Sequence, residues 1–312
     1  MELELLAWLR EHVPTHPRTK LGFSDDAAVV ALASRSDIVL TTDTVTDGVD
    51  FRLSADDPRR VGRQALGVNL SDLAAMAAEP LAAVVSIVLP RGTGDADPLP
   101  LAKALYEGIL PLAAEFDVAL AGGDTNTFDG PLVISVAALG QLTERGPLTR
   151  SHGRPGDWLL VTGALGGSIL GHMFDFTPRV REALLLHKRY ELHAGIDISD
   201  GLALDASRLA AASGCGAVIL PDCVPVSHDA GRLAELGGAA DRNAAALQHA
   251  LGDGQDFELL LAAPPNAAQA ILRDRPLSCS ITHIGELIAE QGLWQQSDGD
   301  RQPMKPTGWL HT

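Results

Sequence analysis

Apolar positions along the chain switch between two rhythms, one of 3.6 residues and one of 2. The opening MELELLAWLREHV is amphipathic at helical spacing. Two short apolar runs, AAVVALA and DIVLTTD, flank Ser34–Ser36 and predict neighbouring strands. A helix is predicted over about 57–79, then a strand LAAVVSIVLP, a helix LAKALYEGILPLAAEF, and strands VALAGG and PLVISVAALG. Turn formers and charges crowd RSHGRPGD at 150–157, and a new strand, WLLVTG, follows. The chain is therefore divided into domains 1–149 and 150–312. The second half reads helix (178–193), GIDISDG, helix (202–213), strand AVILP, helix (243–251), DGQDFELLLA, a further helix and strand ITHIGEL. Strands and helices mix without strict βαβ alternation, which predicts α/β and α+β halves with mixed sheets flanked by helices.

Composition narrows the function. With 312 residues the chain exceeds what one core usually organises, in keeping with two domains. A formal charge of −16 opposes nucleic-acid or anionic-membrane binding, both of which begin with a basic surface. No apolar run is long enough to span a bilayer, and the acidic N-terminus lacks the basic region of a signal peptide. The three cysteines, Cys215, Cys223 and Cys279, lack CxxC spacing, so neither a disulfide framework nor a zinc site is indicated. A cytoplasmic protein is expected.

Acids are biased towards Asp, 27 against 13 Glu, which suits short oxygen ligands as well as turns and caps. Five Asp clusters border or interrupt apolar segments: SDDAAVV (Asp25, Asp26), LTTDT (Asp43), VNLSDLAAM (Asp72), ALAGGDT (Asp124) and GIDISDG (Asp197, Asp200). Any one fits a turn or a cap. Asp72 does not, because its helix is apolar on almost every side, and a carboxylate there calls for a polar pocket or a cation. Scattered carboxylates and hydroxyls that meet in space would hold Mg²⁺ together with substrate phosphates, and several ions would let an acidic protein accept a polyphosphate. There is no P-loop, GxGxxG, HExxH or GxSxG.

In their order, SDDAAVV, LTTDT, DGVDF, GRQALGVNLSDLAAMAAEP, AGGDTN, LTRSHGRPGD, IDISDGLALD and GQDFELL resemble the thiamine-monophosphate kinase family, of the superfamily of aminoimidazole ribonucleotide synthetase. The resemblance implies Mg²⁺-dependent transfer of the γ-phosphoryl group of ATP to thiamine monophosphate, and a homodimer paired through the N-terminal domain. It implies metal ligation by Asp26, Thr41, Thr42, Asp43, Asp72, Asp124, Asp197 and Asp200, with Asp43, Asp72, Asp124 and Arg150 serving the transfer itself. Tyr106, Gly122, Gly123, Arg150 and Ser199 match nucleotide contacts, and Trp309 matches an aromatic that stacks on substrate. Two positions depart from the family. Asp50 stands where a histidine contacts substrate, and Gln255 stands where a glutamate does. An enzyme of the superfamily with another acceptor and a non-catalytic binder of Mg-nucleotide are the alternatives to a kinase.

Overall fold

The computed structural model describes residues 19–21, 28–31, 37–91 and 98–310. The N-terminal helix and the Asp25–Asp26 pair, including the metal position assigned to Asp26, lie outside the described residues. The first half comprises β1 (Thr19–Leu21), β2 (Ala28–Ala31), β3 (Asp37–Thr46), α1 (Pro58–Ala75), β4 (Ala78–Pro90), α2 (Leu99–Glu115), β5 (Ala119–Phe128) and β6 (Val133–Leu142). Its strands form one sheet in the order β1-β2-β3-β6-β4-β5, antiparallel except for the β4–β5 pair. The second half comprises β7 (Trp158–Thr162), α3 (Val180–Arg189), β8 (Ala194–Asp197), α4 (Leu202–Ala212), β9 (Gly216–Ile219), α5 (His228–Leu236), α6 (Arg242–Gly252), β10 (Leu259–Ala263), α7 (Pro265–Asp274), β11 (Ile281–Ile288), β12 (Gly292–Ser297) and β13 (Asp300–Pro303). A second sheet runs β13-β12-β9-β11-β7-β10-β8, with β9 and β12 parallel. Both sheets are mixed and helix-flanked, as predicted.

Helix α1 organises the site. Asp57 caps it by accepting from the Arg59 backbone N–H, and Pro58 occupies the first turn, where its missing N–H costs nothing. Most of its residues are buried, Gln64, Asn69 and Ser71 among them. One side lies against α2 so closely that a Cβ on Gly62 would stand 2.0 Å from the Leu105 carbonyl oxygen, and one on Gly108 would stand 1.7 Å from that of Arg59. Another side faces the second half through Arg60, Arg63, Gln64, Gly67 and Ser71, spaced so as to share one stripe. Along it Arg60 pairs with Asp175 at 2.6 Å, Arg63 donates to the Phe176 carbonyl at 2.9 Å, and Ser71 donates to Asp197 at 2.6 Å.

Among the described residues the first sheet buries only one face. Val39, Val45, Val85, Ile134 and Val136 point into the core, whereas Leu40, Leu81, Val84 and Phe128 are exposed. The strand VALAGG was predicted to end at the glycines, with Asp124 just after it. It runs on to Phe128 and places Asp124 within the strand, paired with Ser86 of β4.

Candidate functional site

A cleft of about 1530 Å³ lies where the end of β3, the following turn, α1 and the Asp197–Asp200 segment meet. Asp43, Asp72, Asp197, Asp200, Arg150 and Ser199 line it, together with Asp50, Gln255 and Trp309. The fold thus brings most of the predicted site into one place.

At its centre, burial pushes the Asp43 carboxyl up to about 6, helped by repulsion from Asp197, Asp50 and Asp200 and opposed by its hydrogen bond with Asp72. Asp72 is pushed well above the carboxylate range by burial and then by Asp43 and Asp197. The hydrogen bond between the two carboxyls thus lowers Asp43 and raises Asp72. Thr41 donates its hydroxyl to Asp72. Asp197 is raised by burial, with Ser71 and Arg150 acting in the opposite direction, and its Oδ1 is buried without a partner. An all-oxygen set with one buried acceptor left over, Asp197 Oδ1, suits a hard cation. Among the described residues no group of three or more His, Cys, Asp or Glu side chains is arranged to hold a metal ion.

Other predicted ligands have different surroundings. Asp200 is held by Arg208, which also bonds Asp205 at 2.8 Å. Asp205 accepts from the backbone N–H of Ser199 at 3.1 Å and of Asp200 at 2.9 Å, so it shapes this turn from beneath. Thr42 is exposed and donates to the Val136 carbonyl at 3.0 Å. Asp50 accepts from the Thr46 N–H at 2.8 Å, closing the turn after β3.

Asp124 does not line the cleft with Asp43 and Asp72. In register, Thr44, Ser135, Ser86 and Asp124 form one row across the sheet. That row belongs to the uncovered face, about 14 Å and three strands from Asp43. Gly122 and Gly123 are also outside the cleft. A Cβ on Gly123 would meet the Val85 carbonyl oxygen at 1.9 Å, so the close approach this glycine permits here is to β4. Tyr106 packs against the first core instead of lining the cleft.

Sequence reasoning missed Ser71, Gln64, Asp205 and Arg208. Ser71 carries a signal, since it precedes Asp72 inside the same apolar helix. Asp205 and Arg208 act on neighbours within eight residues and Asp205 closes the IDISDGLALD motif, whereas Gln64 meets Gln255 191 positions away and has no local signal.

Residues 24–142 match the N-terminal domain of AIR synthase related proteins, and residues 154–294 match the C-terminal domain. A thiamine-monophosphate kinase from Rhodopirellula baltica is 39% identical over 100% of this chain and 97% of its own length. The crystal structure of thiamine-monophosphate kinase from Stenotrophomonas maltophilia K279a is 30% identical, with a TM-score of 0.72 over 96% of both chains. A structure of AaThiL complexed with AMPPCP and TMP is 27% identical, with a TM-score of 0.76 over 100% of this chain and 96% of the other. Hydrogenase maturation protein HypE from E. coli, 21% identical with a TM-score of 0.69 over 98% of both chains, shares the fold. The chain belongs to the thiamine-monophosphate kinase family, with the two-domain fold of AIR synthase related proteins.

Proposed function

We propose that the protein transfers the γ-phosphoryl group of ATP to thiamine monophosphate, giving thiamine diphosphate and ADP, with Mg²⁺ as the metal and the cytoplasm as its location. The observation that carries this reading is the crowding of Asp43, Asp72 and Asp197 around one cleft that Arg150 also lines. The names of the curated relatives and the AMPPCP and TMP complex support it.

Phosphoryl transfer asks for alignment of two phosphates and relief of charge on the oxygens between them. Asp43, Asp72 and Asp197 would hold Mg²⁺ through carboxylate oxygens, and the bound ion would supply that relief as a hard Lewis acid. Arg150, drawn towards Asp197, offers a fixed positive charge to the phosphates. Ser199 contacts the nucleotide, and Asp50, Gln255 and Trp309 contact the acceptor. The phosphate oxygen of thiamine monophosphate attacks directly as the bond from the γ-phosphorus to its bridging oxygen breaks, with no covalent enzyme intermediate. We divide the chain at 149/150 and assign Thr42, Asp200 and Asp26 to the outer metal positions. Gly122, Gly123 and Asp124 enter the site from a second copy, across the uncovered sheet face; Tyr106 is kept as a nucleotide contact.

Incubation with ATP, Mg²⁺ and thiamine monophosphate should yield thiamine diphosphate and ADP in equal amounts, and nothing when the metal is chelated. ATP hydrolysis without that product would assign a different acceptor.

A further inference from the structure

Gln255 stands in a strained loop. Its φ is +65°, Phe257 two residues on has φ +51°, and both are non-glycine residues in the left-handed region. The loop is pinned to the Asp197–Asp200 segment by Gln255 N–H to the Ser199 carbonyl at 2.7 Å and Phe257 N–H to that of Ile198 at 2.8 Å. This backbone aims the half-buried Gln255 side chain into the cleft. There Gln64 of α1 donates its Nε2–H to Gln255 Oε1 at 3.3 Å. Gln64 is only 1% exposed, and its own Oε1 is buried with no partner. Stranding an acceptor is costly, so stability does not account for a glutamine here.

Gln64, Val68 and Asp72 follow one another at four-residue intervals on α1, and all three line the cleft. The helical rise puts about 12 Å between the first and the last. Phe257, stacked on Phe176 at 4.3 Å, adds a second apolar wall near Val68. Carboxamide, apolar wall and carboxylate thus succeed one another in the order aminopyrimidine, thiazolium, phosphate.

We propose that Gln255 reads the aminopyrimidine edge of the acceptor and that Gln64 is the positioning residue that makes this reading selective. The proposal rests on thiamine monophosphate being the acceptor. A glutamine free to turn its carboxamide presents oxygen and NH₂ in either order, and so takes a 4-aminopyrimidine or a 4-oxopyrimidine alike. With one lone pair of Oε1 claimed by Gln64 the order is fixed. The second lone pair accepts from the 4′-amino group, and Nε2–H donates to the neighbouring ring nitrogen. An oxo analogue offers the reverse pattern.

The test compares kcat/KM for thiamine monophosphate and for its 4′-oxo analogue, oxythiamine monophosphate. The native protein should prefer the former by about tenfold to a hundredfold, the discrimination a bidentate amide contact gives. In Gln64→Met the preference should collapse towards parity, through KM for the amino substrate, with KM for ATP unchanged. The donor-only variant Gln64→Lys should keep the preference. Gln255→Leu, at a half-buried position, should erase it as well, and melting temperatures establish that each variant is folded. A Gln64→Met or Gln255→Leu protein with native preference would overturn the proposal, as would equal losses of kcat on both substrates. A native protein that turns over neither substrate would instead overturn the acceptor assignment, and this inference with it.

Discussion

Asp72 is held where three costs coincide: burial, the Asp43 carboxyl, and the charge of Asp197. A carboxyl raised in the folded state is protonated there at pH values where the unfolded chain has already ionised. It therefore weakens the fold as pH climbs above the unfolded value. Asp72→Asn should raise the melting temperature in chelator by roughly 2–6 °C at pH 8 and by less at pH 5, while lowering kcat at least about a hundredfold through loss of the metal. Calorimetry and steady-state rates on one preparation measure both. Asp256 gives a cleaner titration, away from the phosphate end. Burial raises it to about 7, although it accepts from Gly166 N–H and the Ser168 hydroxyl. Folded protein binds the extra proton between about pH 4 and pH 7, so this residue removes stability as pH rises through that window and adds no slope outside it. Asp256→Asn should flatten that part of the melting profile in chelator; an unchanged slope would assign the titration to Asp43 and Asp205.

At the scale of elements, the precision of the site depends on how α1 is seated. Its backbone touches α2 at Gly62 and Gly108, where a methyl group has no room. Gly108→Ala should cost about 1–3 kcal/mol in denaturant unfolding, and it should raise KM for both substrates, because Gln64 and Asp72 move with the helix. The start of α1 was readable from its apolar run, whereas its predicted end at 79 overran into β4, which begins at Ala78. The adjacency of β2 and β3 and the two-part architecture were also readable. Strand β5 was misread because Gly-Gly signals a turn locally, whereas here Gly123 is required by the approach of β4. Helix α5 and strands β12 and β13 were not predicted, since short polar segments such as GLWQQS carry little periodicity. For the site, Asp43, Asp72 and Asp197 were legible as carboxylates set against apolar runs. Gln64 was not, because a buried amide acquires meaning only from a partner, Gln255, that tertiary folding supplies.

Across the whole molecule, one face of the first sheet is uncovered among the described residues. Rows of Thr42, Ala137, Val84 and Gly122, and of Thr44, Ser135, Ser86 and Asp124, run across it. Such a face of small and apolar side chains bordered by an exposed edge strand invites pairing with another sheet. In the dimer proposed above, a second copy laid across this face would cover Leu40 and Val84 and bring its own Asp124 to the rows of Thr42 and Thr44. Val84→Arg places a charge at the centre of that contact without touching α1 or the Asp43–Asp72 pair. Light scattering should show a dimer for the native protein and a monomer for this variant, with thiamine diphosphate formation falling at least about tenfold in parallel. A fully active monomer would place the whole site within one chain and remove Asp124 from it.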